Sequence, residues 1–309
     1  MKIYVGLTDG DWFERLSALA PDEVNFWQPS GGREFRSLQA GEPFLFKLHS
    51  PNNVVVGGGH FVQYSRLPAS IAWDAFGEKN GVGTYQELLA RVRKYRRDDS
   101  SVDPVIGCNV LANPFFFAKA QWVPVPRSWA PSIVQGKGYD ANQGEGAALW
   151  EAVRAAIGSN PVSKESMRSY SEMRGERFGA EYLTRGRLGQ GAFRVLVTDA
   201  YERRCAVTGE KTLPVLEAAH IKPYALEGPH QVQNGLLLRS DLHKLFDLGY
   251  VTVTPALRLE VSSRLREEWQ NGREYYAHHG QELGYRPSDP DSLPSREFLS
   301  WHNEKVFRT

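Results

Sequence analysis

Cys205-Ala-Val-Thr-Gly209 opens the stretch that decides the fold of the C-terminal part of the chain, residues 205–254. It contains three segments in this order: His220-Ile-Lys-Pro223, Asn234-Gly-Leu-Leu-Leu238 and Ser240-Asp-Leu-His-Lys-Leu-Phe-Asp247. Asn234 follows His220 by 14 positions, and His243 follows Asn234 by 9. Asp247 follows His243 by four positions, which puts both side chains on one face of a helix.

Local signals predict two strands and then a helix in this stretch. Residues 215–221 and 236–238 are apolar runs short enough for strands. We expect a helix at about 240–248, because Ser240 is a favourable N-cap and Gly249 stands where helices commonly end. His243 and Asp247 would then face the first strand together.

This order of elements and polar residues resembles the HNH nuclease family, which is built on a ββα-metal finger. The resemblance is strong over residues 205–254 and weaker from Arg187 to the C-terminus. It implies that His220 is the general base that deprotonates water, and that Asn234 orients the loop and the base. It also implies that His243 and Asp247 hold one divalent cation.

The chemistry of phosphodiester hydrolysis requires such residue types independently of any family. A phosphodiester is a poor electrophile, so a base with a pKa near neutrality is needed to form the nucleophile. A hard cation can then neutralise charge on the phosphorane and on the leaving oxygen. A buried structural histidine is the simpler alternative, but a motif of several parts on the predicted elements favours a nuclease site.

Ala219 departs from the family pattern, since many members have an Asp or a second His there as a metal ligand. Glu217, on the same strand face, and Asp199 are candidates to complete the metal shell. Two protein ligands suit Mg²⁺ or Mn²⁺, with one ion per finger, better than a closed zinc site. No structural zinc is expected, because Cys108 and Cys205 are the only cysteines.

The whole chain has the composition of a globular protein, with 41% hydrophobic and 24% charged residues. Its 309 residues are enough for two domains. A net charge of +1 is not typical of a nucleic-acid-binding protein, so a binding surface must be a local patch. The N-terminal sequence lacks a signal-peptide core, and no apolar run reaches membrane-spanning length, which predicts a cytoplasmic protein.

Residues 1–126 combine predicted strands with short helices. The predicted strands are 1–7, 44–48, 54–62, 106–111 and 114–125, and the predicted helices are 11–19 and 84–97. Glycines 57–59 break the third strand and indicate a bend. We therefore expect a small, strongly bent β-structure with flanking helices, most simply a β-barrel.

The segments Leu38-Gln-Ala-Gly-Glu-Pro-Phe-Leu-Phe-Lys47 and Val54-Val-Val-Gly-Gly-Gly-His-Phe-Val62 resemble the PUA-like superfamily, which includes EVE, ASCH and SRA-type modules. The resemblance implies binding of RNA or DNA, in several members with a modified base flipped into an aromatic pocket. Flipping requires stacking surfaces and polar groups that read the base edge. The candidates for this role are Trp12, Asn25, Trp27, Gln28 and Trp73, with Asp11 as a further polar partner.

Two basic regions are candidates for phosphate contacts. The helix at 84–97 carries Arg91, Arg93, Lys94, Arg96 and Arg97, which form either a phosphate-binding face or an ordinary solvated face. Arg194 and Arg204 supply positive charge near the finger. Gly189-Gln-Gly191 precedes a predicted helix, where free amides either bind a phosphate or simply start the helix.

Prolines and glycines after residue 126 indicate a domain boundary. The predicted domains are a PUA-like nucleic-acid recognition domain at 1–126, a linker with helices at 127–186, and an HNH endonuclease domain at 187–309. The predicted fold class is α+β, with an N-terminal PUA-like β-barrel joined by the linker to a C-terminal ββα-metal domain.

The combination predicts a modification-dependent DNA restriction endonuclease. Its substrate would be double-stranded DNA that carries 5-methylcytosine or 5-hydroxymethylcytosine, and one finger cuts one strand, so a double-strand break implies a homodimer or two converging copies. Two alternatives stay open. The N-terminal domain could read unmodified DNA or RNA, or the protein could bind DNA with an inactive HNH scaffold.

Overall fold

A computed structural model of the chain describes residues 1–32, 34–96, 101–158 and 188–309. The chain divides into two compact units, Met1–Ala192 and Phe193–Thr309. Arg97 and residues 159–186 of the predicted linker lie outside the described residues. None of the helices in the described ranges is both long enough and apolar enough to cross a membrane.

The first unit consists of seven strands and four helices within its described residues. The strands are β1 (Lys2–Thr8), β2 (Glu23–Gln28), β3 (Pro43–Leu48), β4 (Val54–Pro68), β5 (Val105–Phe116), β6 (Val123–Pro124) and β7 (Gly136–Asp140). The helices are α1 (Gly10–Leu19), α2 (Ala69–Phe76), α3 (Tyr85–Lys94) and α4 (Gly144–Gly158).

The strands of the first unit form one sheet in the order β2-β5-β4-β3-β1-β7, with β6 paired to β4. β1 and β3 are parallel, and Val5 lies opposite Leu45 in their register. Because neighbouring side chains alternate between sheet faces, Val5 and Leu45 pack with α4, while Tyr4 and Phe44 pack with Trp12. Both faces of the sheet are therefore covered, and β3 is buried along its whole length.

The mixed α+β architecture predicted from the sequence is confirmed. The described strands follow an open path from β2 to β7 and do not close into the barrel that we expected. The strands predicted at 106–111 and 114–125 are largely one strand, β5, in which Asn113 adopts a positive φ of 48°. Asn tolerates this conformation better than most residues, so the strand can bend there without ending.

β7 and α4 lie within the stretch that the sequence predicted to be a linker. β7 pairs antiparallel with β1, and α4 contributes Leu149, Trp150 and Val153 to the core beneath the sheet. Both elements are thus integral to the first unit. The division at residue 126 stays a prediction.

The second unit contains a β-hairpin followed by short helices and a second small hairpin. Helix α5 (Gln190–Ala200) leads into it, and the remaining elements are β8 (Leu216–His220), β9 (Gly235–Arg239), α6 (Ser240–Asp247), β10 (Val251–Val253), β11 (Leu259–Val261), α7 (Arg264–Trp269), α8 (Arg273–Tyr276) and α9 (Arg296–Lys305).

The β8, β9 and α6 elements agree with the predicted strand, strand and helix. β8 and β9 are antiparallel, with His220 opposite Gly235. Gly249 has a φ of 76° just beyond α6, a conformation that glycine adopts readily at helix ends. Ser240 begins the helix as its first residue rather than as the N-cap, which is Arg239.

Candidate active site

His220 ends strand β8, and its imidazole lies flat on the ring of Phe193, with ring centroids 3.8 Å apart and planes 13° apart. Burial lowers the pKa of His220 to about 4, and the neighbouring His230 and His243 shift it in the same direction. The imidazole is therefore uncharged near neutral pH, which is the form a general base requires.

Asn234 is fully buried and fixes the loop that follows β8. Its Oδ1 accepts a hydrogen bond from the Lys222 amide at 2.8 Å, and its Nδ2 donates to the carbonyl oxygens of Lys222 and Pro229 at 2.8 and 3.0 Å. One side chain thus joins the two ends of the loop between residues 222 and 229. This geometry suits the role of loop anchor that the family resemblance implies.

His243 on α6 lies between two carboxylates. Its Nδ1 is 2.6 Å from Oε2 of Glu217, and its Nε2 is 3.4 Å from Oδ2 of Asp247. Burial raises the pKa of Asp247, an effect that His243 opposes and Glu217 reinforces. A carboxylate can only accept, so Nδ1 donates its hydrogen to Glu217, and Nε2 faces Asp247.

With its hydrogen on Nδ1 alone, the ring would present an Nε2 lone pair to the Asp247 oxygen 3.4 Å away, and a cation bound by both atoms would relieve their repulsion. The imidazole nitrogen and the carboxylate oxygen are both ligands of divalent cations, so the donor set fits one such ion. Oε2 of Glu217 contacts His243, so this carboxylate can orient the ring, and its part in the metal shell stays a prediction. No group of three or more His, Cys, Asp or Glu in the described part of the chain is arranged to hold a metal.

Residues 205–254 match the family model described as HNH endonuclease. This segment is an HNH endonuclease domain. The protein is therefore a nuclease. HNH endonucleases generally use a divalent metal ion, which agrees with the donor pair formed by His243 and Asp247.

Solved structures of known proteins show weak similarity to the whole chain or to half of it. Two crystal structures of ASCH from Zymomonas mobilis each have 8% identity and cover 50% of this chain. One, a point mutant, has a TM-score of 0.36 with 99% of its own chain covered. The other has a TM-score of 0.35 with 94% of its own chain covered. A modification-dependent TagI restriction endonuclease has 14% identity and a TM-score of 0.27, covering 92% of this chain and 75% of its own. No curated protein matches the chain. The assignment therefore rests on the family match.

The basic residues predicted near the HNH domain are partly exposed. Arg194 lies on α5, and the Arg204 guanidinium stands 5.1 Å from the ring of Tyr285. The amides at the start of α5 have a protein partner. Gly191 and Ala192 donate their backbone hydrogens to the buried carboxylate of Glu23 at 2.8 and 2.7 Å, which favours a plain helix start over phosphate binding, the two alternatives that the sequence left open.

The first unit contains a cavity of about 320 Å³ that includes part of the predicted base-binding set. Trp12, Trp27 and Gln28 line this cavity. Both indole nitrogens donate to the carbonyl oxygen of Asn80, at 3.1 and 2.9 Å, which fixes the two rings. The volume lies at the lower end of the range of about 300–1,000 Å³ that is typical of small-molecule pockets.

The structure does not bring the other N-terminal candidates to this cavity. Asn25 is fully buried, and its amide donates to Asn80 and to the thiol of Cys108. Trp73 is half-buried on α2 and is not among the lining residues. Arg93 is exposed, with its guanidinium 3.5 Å from the carbonyl oxygen of Val102, and Arg97 lies outside the described residues.

Several residues at the two sites were missed by sequence reasoning. The cavity is also lined by Asp9, His49 and Tyr95, which come from three separate segments and share no motif, and by Arg91 of the predicted basic helix. In the HNH domain, His230 lies 2.9 Å from His220. The only sequence signal for it was its place in the loop between the two motif strands.

Proposed function

We propose that the protein is a metal-dependent DNA endonuclease that cuts DNA carrying a modified base of the 5-methylcytosine or 5-hydroxymethylcytosine type. One observation supports the nuclease half of the proposal: His220 ends β8, Asn234 directly precedes β9, and His243 and Asp247 lie on α6 of the HNH domain. The reader half is supported by the tryptophan-lined cavity of the first unit.

In the proposed reaction His220 removes a proton from water, and the resulting hydroxide attacks phosphorus in line. The bond from phosphorus to the 3′ oxygen breaks, which leaves 5′-phosphate and 3′-hydroxyl ends, as the family resemblance implies. Mg²⁺ or Mn²⁺ bound to His243 and Asp247 would neutralise negative charge on the phosphate and on the leaving oxygen. Asn234 holds the loop, and Glu217 orients the His243 ring.

The cavity has the surfaces that a flipped base requires. Trp27 offers aromatic surface for stacking, with the buried Trp12 behind it at the wall, while Gln28, Asp9 and His49 offer polar groups. A cytosine edge presents one amino donor and two acceptors, so a carboxylate together with an amide or imidazole complements it. Leu7 and Val134 add apolar wall that suits a methyl group.

The proposed partner is double-stranded DNA, and a homodimer would supply two fingers for a double-strand break. The test is cleavage of unmodified, 5-methylcytosine and 5-hydroxymethylcytosine plasmids with Mg²⁺ or Mn²⁺, with His220→Ala as the control. We expect cutting of modified DNA only, and its loss in the variant. Equal cutting of all three plasmids would contradict the reader, and retained cutting by His220→Ala would contradict the assigned base.

A further inference from the structure

His230 lies beside the candidate general base although it occupies none of the motif positions. Its Nδ1 is 2.9 Å from Nε2 of His220. The ring of Tyr224 lies parallel to the His230 ring, with centroids 4.4 Å apart and planes 10° apart. Each imidazole of the pair thus stacks on its own aromatic ring, Phe193 for His220 and Tyr224 for His230.

The loop fixes His230 from both sides. The residue before it, Pro229, gives its carbonyl oxygen to the Asn234 side chain at 3.0 Å. The residue after it is Gln231, whose backbone carbonyl accepts a hydrogen bond from the backbone amide of Asn234 at 2.9 Å. The backbone amide of Gln231 donates to the Pro229 carbonyl oxygen at 3.0 Å. The same buried asparagine that anchors the loop therefore sets the backbone position of His230.

A hydrogen bond between two neutral imidazoles holds one proton between two nitrogens, which leaves two arrangements. If His230 donates from Nδ1, then Nε2 of His220 accepts, and the proton of His220 is on Nδ1. In that case His220 has no lone pair left to take a proton from water. If His220 donates from Nε2 instead, its Nδ1 carries a free lone pair and can act as the base.

We propose that His230 is a positioning residue that accepts the Nε2 hydrogen of His220 and so keeps the Nδ1 lone pair of His220 available for water. This inference rests on the proposed function of His220 as the base. When Nδ1 of His220 takes the proton from water, the O–H bond breaks and the imidazolium donates from Nε2 to His230. A hydrogen bond from a charged donor is stronger than one between neutral rings, so the contact with His230 keeps the His220 ring in this orientation during attack.

Three substitutions separate this role from mere packing. His230→Phe keeps a ring against Tyr224 but removes the acceptor. His230→Asn removes the ring but puts an amide oxygen close to the position of Nδ1, and His230→Ala removes both. His278→Asn, at a histidine outside the site, is the matched control.

The first readout is the nicking rate of the full chain on its best DNA substrate with Mn²⁺, resolved into kcat and KM. We expect His230→Phe and His230→Ala to lose roughly 10- to 100-fold in kcat with little change in KM, the usual effect of removing a partner of a catalytic imidazole. We expect His230→Asn to recover most of this loss. Wild-type kcat in His230→Phe, or equal losses in His230→Phe and His230→Asn, would overturn the proposal.

The second readout does not depend on cleavage. In ¹⁵N-histidine-labelled full-length protein, a ¹⁵N–¹⁵N coupling through the hydrogen bond should join Nε2 of His220 to Nδ1 of His230, with the proton assigned to His220. Absence of the coupling, or a proton on Nδ1 of His220, would overturn the inference about His230 alone. Absence of cleavage by the wild-type protein on every substrate would instead overturn the proposed function.

Discussion

The Nδ1 atom of His243 lies 2.6 Å from a carboxylate oxygen of Glu217. This contact sets the orientation of the ring, because Nδ1 donates to Glu217 and Nε2 is left facing Asp247. Metal-binding histidines are commonly held in this way by a carboxylate that does not touch the metal. We therefore expect Glu217 to act through His243.

Glu217→Ala should therefore weaken binding of the catalytic cation. Loss of such an outer partner typically costs about 10- to 100-fold in metal affinity. Calorimetric titration of the full chain with Mn²⁺ measures this directly. Glu304→Ala, at an exposed glutamate on α9, is the control, and unchanged Mn²⁺ affinity in Glu217→Ala would contradict the assigned role.

Asn234→Ala should destabilise the second unit and abolish cleavage. The substitution removes the Asn234 partner of the Lys222 amide and of the Lys222 carbonyl and leaves the Pro229 carbonyl with the Gln231 amide, and each group left unsatisfied away from water costs about 1–3 kcal/mol. Asn234→Asp should fail as well, because a carboxylate cannot donate to the Lys222 and Pro229 carbonyl oxygens. Urea unfolding and nicking rates check both variants against Asn271→Ala, an exposed site, and a wild-type result for Asn234→Asp would refute this account.

The acid side of the pH–rate profile should lie well below the ordinary histidine value. Burial lowers the pKa of His220 from 6.5 to about 4, so the base stays neutral, and active, as the pH falls through 6.5. The measurement is kcat/KM against pH at saturating Mn²⁺, which reports the free enzyme. A half-maximal rate near pH 6.5 assigned to His220 would be inconsistent with its buried position.

His302 should make stability depend on pH. It is 2% exposed, and its Nε2 donates to the Phe246 carbonyl oxygen at 3.1 Å while Nδ1 lies 2.8 Å from the Thr252 hydroxyl. Burial lowers its pKa from 6.5 to about 4. Because the folded pKa is below the unfolded one, protons bind preferentially to the unfolded chain. The stabilisation is complete above pH 6.5 and is lost as the pH falls towards 4, by about 3 kcal/mol in total.

The test of this prediction is urea unfolding of the full chain at pH 7.5 and pH 4.5. His302→Gln keeps an amide donor for the Phe246 carbonyl but has no titrating ring. We expect a smaller pH dependence in this variant than in the wild type, even if its stability at pH 7.5 is lower. Equal pH dependence in both proteins would show that His302 is not the titrating group.

Trp27→Ala should reduce discrimination between modified and unmodified DNA. Stacking of a base on an aromatic side chain contributes about 1–3 kcal/mol, which corresponds to roughly 5- to 150-fold in affinity. Competition binding with duplexes that differ only in the modified cytosine measures the change. Trp269→Ala, at a tryptophan that is 65% exposed in the second unit, is the control, and unchanged discrimination in Trp27→Ala would argue against the cavity as the reader.

The HNH domain was predictable because its signals are local. The spacing of His220, Asn234 and His243 and the helical pair with Asp247 are properties of a short continuous stretch. The predicted strand, strand and helix agree with β8, β9 and α6, and Gly249 ends the helix as expected. The spacing of apolar residues and the residue types at helix ends are enough to predict elements within such a short stretch.

The first unit was less predictable because its strands pair over long sequence distances. The pairing of β7 with β1 joins residues 130 to 138 positions apart, from Gly6 with Gly136 to Lys2 with Asp140. The weakly apolar segment at 136–140 gave no strand signal of its own. The order of the strands in the open sheet likewise depends on which strands pair along their edges, and no local sequence pattern specifies that pairing. Trp12 and Trp27 reached the cavity, whereas the equally suitable Trp73 and Asn25 did not.

The sequence by itself determined the type of chemistry, because the identity and order of the HNH residues are fixed along one short segment. Only the tertiary structure decided which other side chains contact His243 and His220. Glu217 reaches His243 and His230 reaches His220 because the β8–β9 loop and α6 fold back onto the first strand. Hydrogen bonds of this kind depend on distances of a few tenths of an ångström, which residue spacing does not specify.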